Sequence, residues 1–385
     1  MNILVVPSWY KSESNPNLGS FFREQAIALT KFGHKVFLLD TSFSNKKDYL
    51  SKSCFRIQSY IDNGVSIYSL KLPSLGVAKI PFLYNNIYRF VSFMVFEKFC
   101  KQNKIDVIHA HSYYPAGNVF IDFAIKKNIP IVITEHSSLV LSKKMSTYEK
   151  KLLIKSVEKS DAFICVSKAL RESVLAITQS NKSIHIIPNG VGDIFRMKSQ
   201  NSIDSDFVFI NVANLVSVKR QGLLIDAFYS KFKDNERVKL VIIGEGILKS
   251  QLSNQIQALG LSNQIKLRGL LPRERVVEEL QRANAFVLTS EYETFNVACI
   301  EALAVGLPVI STRCGGPEEF INTSNGILCD VNDVNSISSA MDEVIRNYDK
   351  FDQLSISKSI RNKFSFSSVV SAINNIYKNI VTDNI

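Results

Sequence analysis

The stretch Ser290-Glu291-Tyr292-Glu293-Thr294-Phe295-Asn296-Val297-Ala298-Cys299-Ile300-Glu301-Ala302-Leu303-Ala304-Val305-Gly306-Leu307-Pro308-Val309-Ile310 decides how the rest of the chain is read. An apolar run over 285–289 precedes it. A helix is expected from near Phe295, and Gly306-Leu307-Pro308 leads into a second apolar run over 308–312. Strand, helix and strand at this spacing form the unit of a parallel α/β sheet. Glu293 follows the first strand. Glu301 sits among Ala and Leu on the helix, where a charge is costly unless it meets a partner. Sugar or ribose hydroxyls suit such an acceptor, and the helix N-terminus offers free N–H groups to a phosphate. Were both carboxylates on one helix, eight steps would separate them by about 12 Å. That exceeds the roughly 5–9.5 Å of glycosidase acid/base pairs.

The same alternation extends in both directions. Short Val- and Ile-rich runs at 3–7, 36–40, 66–72, 107–111, 131–136 and 162–167 read as strands covered on both faces. A helix is expected over 21–32, ended by Gly33-His34. After Pro188-Asn189-Gly190 the pattern restarts, with a polar linker over 198–206 and strands at 208–214, 238–244, 265–269, 285–289 and 308–312. The fold class is therefore α/β, with two doubly wound, Rossmann-like domains facing a central cleft. The expected spans are 1–195, 196–365, and a C-terminal helical segment 366–385 packing back on the N-terminal domain. Ligands bind beyond the carboxyl ends of such strands, so the cleft is the expected site.

Composition narrows the function. The 385 residues are 46% hydrophobic and 21% charged, as expected for globular domains rather than disorder or coiled coil. The net charge of +11 is unevenly placed: 25 Lys+Arg against 13 Asp+Glu over 1–190, and 21 against 22 over 191–385. One domain is thus expected to face an anionic partner. None of the six cysteines forms a C-x-x-C pair or a Cys/His cluster, which points to buried free thiols and a cytoplasmic setting. The N-terminus lacks a basic n-region, so no signal peptide is expected. No 18-residue uncharged apolar run occurs, so no spanning helix is expected either. A third glycine is missing after Gly244-Glu245-Gly246, and there is no phosphate-loop motif, which removes dehydrogenase and ATPase readings. No Asp-x-Asp follows a first-domain strand, so no metal and no cofactor is expected. His109 and His111 alternate at a strand end, so one of them is expected to face the cleft.

The stretch 290–310 resembles the glutamate, seven residues, glutamate motif of the family 4 glycosyltransferases, retaining enzymes of GT-B fold. Ser311-Thr312-Arg313-Cys314-Gly315-Gly316-Pro317-Glu318-Glu319 resembles the family's Gly-Gly-x-x-Glu loop. Further resemblances lie at Ile187-Pro188-Asn189-Gly190-Val191 and Asn214-Leu215-Val216-Ser217-Val218-Lys219. In the first domain they lie at Pro7-Ser8-Trp9-Tyr10, Gly19-Ser20-Phe21-Phe22, Asp106-Val107-Ile108-His109-Ala110-His111 and Thr134-Glu135-His136-Ser137.

The resemblance implies roles. Glu301 would bind the nucleotide ribose. Glu293, with backbone groups of Phe295, Asn296 and Val297, would bind the donor sugar, and Leu270 would meet the base through its backbone. Lys219 would neutralise the diphosphate, with Gly19 letting the opening loop approach it. His136 would lie near the reacting carbon, so His136 and Glu293 are the catalytic candidates. Asn214 stands where the family often has arginine and cannot supply its charge; Arg220, in place of a frequent glycine, substitutes if its side chain turns inward. Asn296 also replaces a frequent glycine. The implied activity is hexosyl transfer from a nucleotide-diphosphate sugar to a glycan acceptor, expected to be lipid-linked and to serve surface polysaccharide synthesis. The alternatives are a GT-B epimerase or hydrolase and a non-catalytic sugar-binding subunit. The aromatic-rich run 82–99 and the lysines Lys143, Lys144, Lys150, Lys151, Lys155 and Lys159 suit an anionic membrane surface, giving an expected peripheral location on the inner face. No nucleic-acid motif accompanies the charge.

Overall fold

Runs of buried Val, Ile, Leu and Phe form strands because helices cover both faces of each sheet. The computed structural model describes residues 1–12, 15–44, 57–73, 80–142, 144–198 and 206–382. Most of the expected linker, together with Lys143 and Cys54, lies outside the described residues. The chain divides into two units, Met1–Gly190 with Phe366–Ile385, and Val191–Ser365.

The first unit holds an eight-stranded sheet. Its spatial order is Ile184–Ile186, Ala162–Cys165, Ile131–Glu135, Val107–His111, Asn2–Pro7, Lys35–Asp40, Val65–Ser69 and Gln58–Asp62. All neighbours pair in parallel except the last two, which form an antiparallel hairpin. Its turn is Asn63-Gly64, both at positive φ (48° and 85°), the conformation that Asn-Gly turns supply. The run expected as one strand over 66–72 is two: Val65–Ser69, then Leu72–Pro73, which pairs with Phe43–Ser44. Between them, Lys71 turns to the buried Asp40 at 2.9 Å. The helix Phe366–Thr382 belongs to this unit. Val369, Val370, Ile373, Ile376 and Tyr377 join the cluster of Ile3, Val5, Leu29 and Leu38.

The second unit is a six-stranded parallel sheet, in the order Ile265–Gly269, Val238–Ile243, Phe207–Val212, Ala285–Leu288, Val309–Thr312 and Gly326–Cys329. The helices Gln221–Phe232 and Val334–Arg346 pack together, as do Val297–Ala304 and Gln353–Lys363. In each unit the order of the parallel strands reverses once. The reversal lies between Asn2–Pro7 and Val107–His111 in the first, and between Phe207–Val212 and Ala285–Leu288 in the second. At such a reversal the flanking connections leave in opposite directions and open a crevice at the strands' carboxyl ends. Cys165, Cys299, Cys314 and Cys329 are buried free thiols, and Cys100 is half-buried.

Candidate functional site

In the second unit, the loops leaving Val212 and Leu288 meet at the reversal. The first carries Asn214 and a short 3-10 turn, Ser217–Lys219; the second carries Ser290 to Glu293. Lys219 Nζ lies 2.5 Å from Glu293 Oε1, which also accepts from Ser290 Oγ at 2.6 Å. The backbone fixes Glu293 further: its N–H donates to the Cys314 carbonyl at 2.7 Å, and its own carbonyl accepts from Gly316 N–H at 2.9 Å. Gly316 must be glycine, because a Cβ there would stand 2.5 Å from the Thr294 carbonyl oxygen. The Gly-Gly loop therefore holds the glutamate in place.

Arg220, at φ 53°, reaches Glu291 at 2.8 Å, with both side chains about two-fifths exposed. The charge that was to stand in for the missing arginine at 214 is thus committed to a carboxylate of its own. Glu293 precedes the helix, which starts at Val297 rather than near Phe295. The on-helix separation from Glu301 therefore does not apply. Asn296 adopts the left-handed conformation (φ 70°), and its side-chain oxygen accepts from Cys299 N–H at 3.0 Å as the helix cap. Asparagine replaces glycine here by tolerating that backbone and capping the helix. Phe295 is core, against Phe320 and Phe364, so only its backbone is available to a ligand. Val297 opens the helix, and Leu270 follows the strand ending at Gly269.

Glu301 is 5% exposed, with Arg273 Nη2 2.9 Å from its Oε1. Sequence reasoning misses Arg273, since it lies in no motif and on a different helix, Arg273–Arg282.

In the first unit, the opening loop and three imidazoles come together at the other reversal. Gly19, at φ 71°, starts the helix Ser20–Lys31 without a side-chain cap. Phe22 packs against His111 with tilted rings (4.6 Å between centroids) and edge-on against His136 (5.1 Å), and Phe21 also lies 5.1 Å from His136. Ser8 Oγ donates to the His111 carbonyl at 2.7 Å and accepts from Ala116 N–H. His111 Nδ1 and His136 Nε2 are 3.1 Å apart.

The expectation that His109 and His111 divide between faces is corrected. Residues two apart on a strand share a face, and these rings stack at 4.4 Å. His109 bonds the Tyr377 hydroxyl through Nδ1 at 2.5 Å and Thr134 Oγ1 through Nε2 at 2.7 Å. Burial pushes all three imidazoles down, His109 and His136 to about 3, so each is uncharged near neutrality. Glu135 holds the loop geometry. Its carboxylate accepts from Tyr113 N–H (2.6 Å), His136 N–H (2.9 Å) and Ser137 N–H (2.5 Å). Burial raises it to about 7 even so. Among the described residues no group of three or more His, Cys, Asp or Glu is placed to hold a metal ion.

Residues 18–193 match the family model described as Glycosyltransferase Family 4, and 193–360 that described as Glycosyl transferases group 1. An uncharacterized glycosyltransferase of Methanocaldococcus jannaschii is 30% identical over 279 residues, 72% of this chain and 76% of the relative. A phosphatidylinositol N-acetylglucosaminyltransferase subunit of Homo sapiens is 26% identical over 355 residues, 89% of this chain and 68% of the relative. Among solved structures, Anabaena HepE in complex with UDP superposes with a TM-score of 0.73 at 18% identity, over 98% of this chain and 100% of that one. Two Rossmann-like units of GT-B type, the Lys219–Glu293 and Arg273–Glu301 pairs and these matches converge: the chain belongs to the family 4 glycosyltransferases and is a transferase.

Proposed function

We propose that this enzyme moves a hexose-type sugar, with retention of anomeric configuration, from a nucleotide-diphosphate sugar to a lipid-linked glycan in surface polysaccharide synthesis, such as lipopolysaccharide or capsule. The observation that carries the reading is the Lys219–Glu293 pair at the strand reversal, beside the start of a helix. A cation and free helix N–H groups suit a diphosphate, and a fixed carboxylate suits sugar hydroxyls. Lys219 would stabilise the leaving diphosphate. Glu293, with the backbone of Phe295, Asn296 and Val297, would hold the sugar, and Glu301 the ribose. Catalysis would rest on positioning and charge stabilisation, with no metal. The leaving phosphate would help take the acceptor's proton. His136, kept neutral by burial, would donate or accept a hydrogen bond near the reacting carbon.

Two features support a lipid-borne acceptor. The phosphatidylinositol acceptor named for the human relative is one. The other is a surface of the first unit. Phe82, Leu83, Phe90 and Met94 are exposed on the helix Pro81–Cys100, and Phe82 meets Tyr148 at 6.4 Å on the helix Thr147–Lys159. That second helix buries Leu152 and Leu153 and turns Lys150, Lys151 and Lys159 to solvent, while Lys155 pairs with Asp122. Apolar and cationic groups side by side suit the face of an anionic bilayer. Among the described residues no helix is long and apolar enough to cross a membrane. This contact would place the enzyme peripherally on the cytoplasmic face.

The test is product analysis with a panel of nucleotide sugars, with and without polyprenyl-diphosphate-linked glycan in anionic vesicles. A glycosylated lipid with retained anomeric configuration by NMR is expected. Free sugar or an isomerised nucleotide sugar would instead mark a hydrolase or epimerase. Absence of any donor turnover would mark a sugar-binding subunit.

A further inference from the structure

Glu301 occupies a helix whose neighbouring residues Ile300, Ala302, Leu303 and Ala304 are wholly buried. An ionised carboxylate there needs a fixed cation. Arg273 supplies it from the first turn of another helix, three residues beyond Leu270. Its guanidinium lies over the ring of the fully buried Phe195, 4.9 Å from the centroid. A planar cation resting on an aromatic face has its orientation set as well as its position. Arg273 meets Glu301 at Oε1. A carboxylate has about four lone-pair sites, so this contact leaves acceptor capacity for a diol.

We propose that Arg273, stacked on Phe195, is a positioning residue that holds the Glu301 carboxylate ionised and aimed at the nucleotide ribose. The inference rests on the reading of Glu301 as the ribose acceptor and adds a determinant of ribose specificity outside every recognised motif. Lysine would keep the charge but not the planar stack, so it should restore the function only in part.

The experiment measures by calorimetry the ratio of affinities for a nucleoside diphosphate and its 3′-deoxy form. The probe is the tightest binder among UDP, GDP and ADP. The proteins are wild type, Glu301→Gln, Arg273→Gln and Arg273→Lys at full length, each checked by thermal melting. Wild type should prefer the ribose form about ten-fold or more, the worth of one charged hydrogen bond. Glu301→Gln and Arg273→Gln should both bring the ratio towards one, with Arg273→Lys between. A wild-type ratio in Arg273→Gln alongside a lost ratio in Glu301→Gln would overturn the role of Arg273 and leave Glu301 standing. An unchanged ratio in Glu301→Gln, or no binding of any of the three probes, would overturn the ribose reading itself. Should Arg273→Gln fail to fold, Arg273→Lys decides: a ratio equal to wild type overturns the proposal.

Discussion

The strand reversal of the first unit gathers buried imidazoles kept uncharged, and that of the second gathers opposite charges in pairs. His109, His111 and His136 have their charged forms suppressed by burial. Lys219 with Glu293, Arg220 with Glu291, and Arg273 with Glu301 lie within ion-pair distance of each other. One topology therefore yields two chemistries, decided by which side chains the strand-end loops carry. Paired charges suit the diphosphate end of a donor, whose negative charge grows as the sugar leaves. Neutral imidazoles suit hydroxyl groups, which ask for hydrogen bonds rather than ionic partners.

That contrast can be tested at several strengths. The largest effect should come from Lys219→Ala, which removes the cation proposed to stabilise the diphosphate. Turnover should fall about 10²–10³-fold, as for loss of one preorganised charge-stabilising donor. A loss under ten-fold in steady-state kinetics would mean that the second unit's charges are structural.

Next is Glu301→Ala, which should weaken nucleotide-sugar affinity about ten- to hundred-fold by calorimetry while the fold survives. Unchanged affinity would remove the ribose role and much of the contrast.

The first unit should betray its neutral histidines under acid. Their folded-state pKa values lie below the unfolded 6.5, so the unfolded chain binds protons first and stability falls as pH drops below about 6.5. A single such histidine costs about 2 kcal/mol by pH 5. Glu135, raised to about 7, acts in the opposite direction, losing stability as pH rises from about 4.5 to 7, but it is one group against three. Denaturant titrations from pH 7 to 5 should show the acid loss, and His109→Gln should flatten it by one proton. A pH-independent midpoint would contradict the buried, uncharged state.

A smaller effect is expected at the lysine helix. Each of Lys150 and Lys151 should contribute about 1 kcal/mol to binding an anionic bilayer, screened as salt rises. Co-sedimentation with anionic vesicles should weaken in Lys150→Glu/Lys151→Glu. Equal pelleting of variant and wild type would leave a soluble acceptor as the better reading.

The smallest expected effect is none: EDTA should leave turnover unchanged, since in the proposed reading Lys219 and a helix N-terminus take up the diphosphate charge. Activity lost in chelator and restored by Mg²⁺ or Mn²⁺ would show that the paired charges of the second unit are not enough.

Much of the site is legible in the chain's local patterns. Glu293, Lys219 and Glu301 lie in motifs a few residues long, and each follows a strand whose apolar run is visible by itself. The mistaken reading of His109 and His111 had a local remedy, because a period of two puts residues 109 and 111 on one face. The Asn63-Gly64 hairpin also carried a local signal, in a residue pair suited to positive φ. Asn296 shows a subtler limit. Its exchange for a usual glycine is visible in the motif, but its capping of the helix depends on a backbone angle.

Hydrophobic periodicity and turn chemistry act between residues close in the chain, so strands, helices, their alternation and the order of the motifs follow from the amino-acid order. The partners do not; they follow from the assembled fold. Arg273 meets Glu301 from a separate helix, and Tyr377 bonds His109 across 268 residues. Arg220 goes to Glu291 rather than standing beside Lys219. These pairings depend on sheet order and on which loops share a strand reversal. They are properties of the folded backbone that no short window of residues encodes.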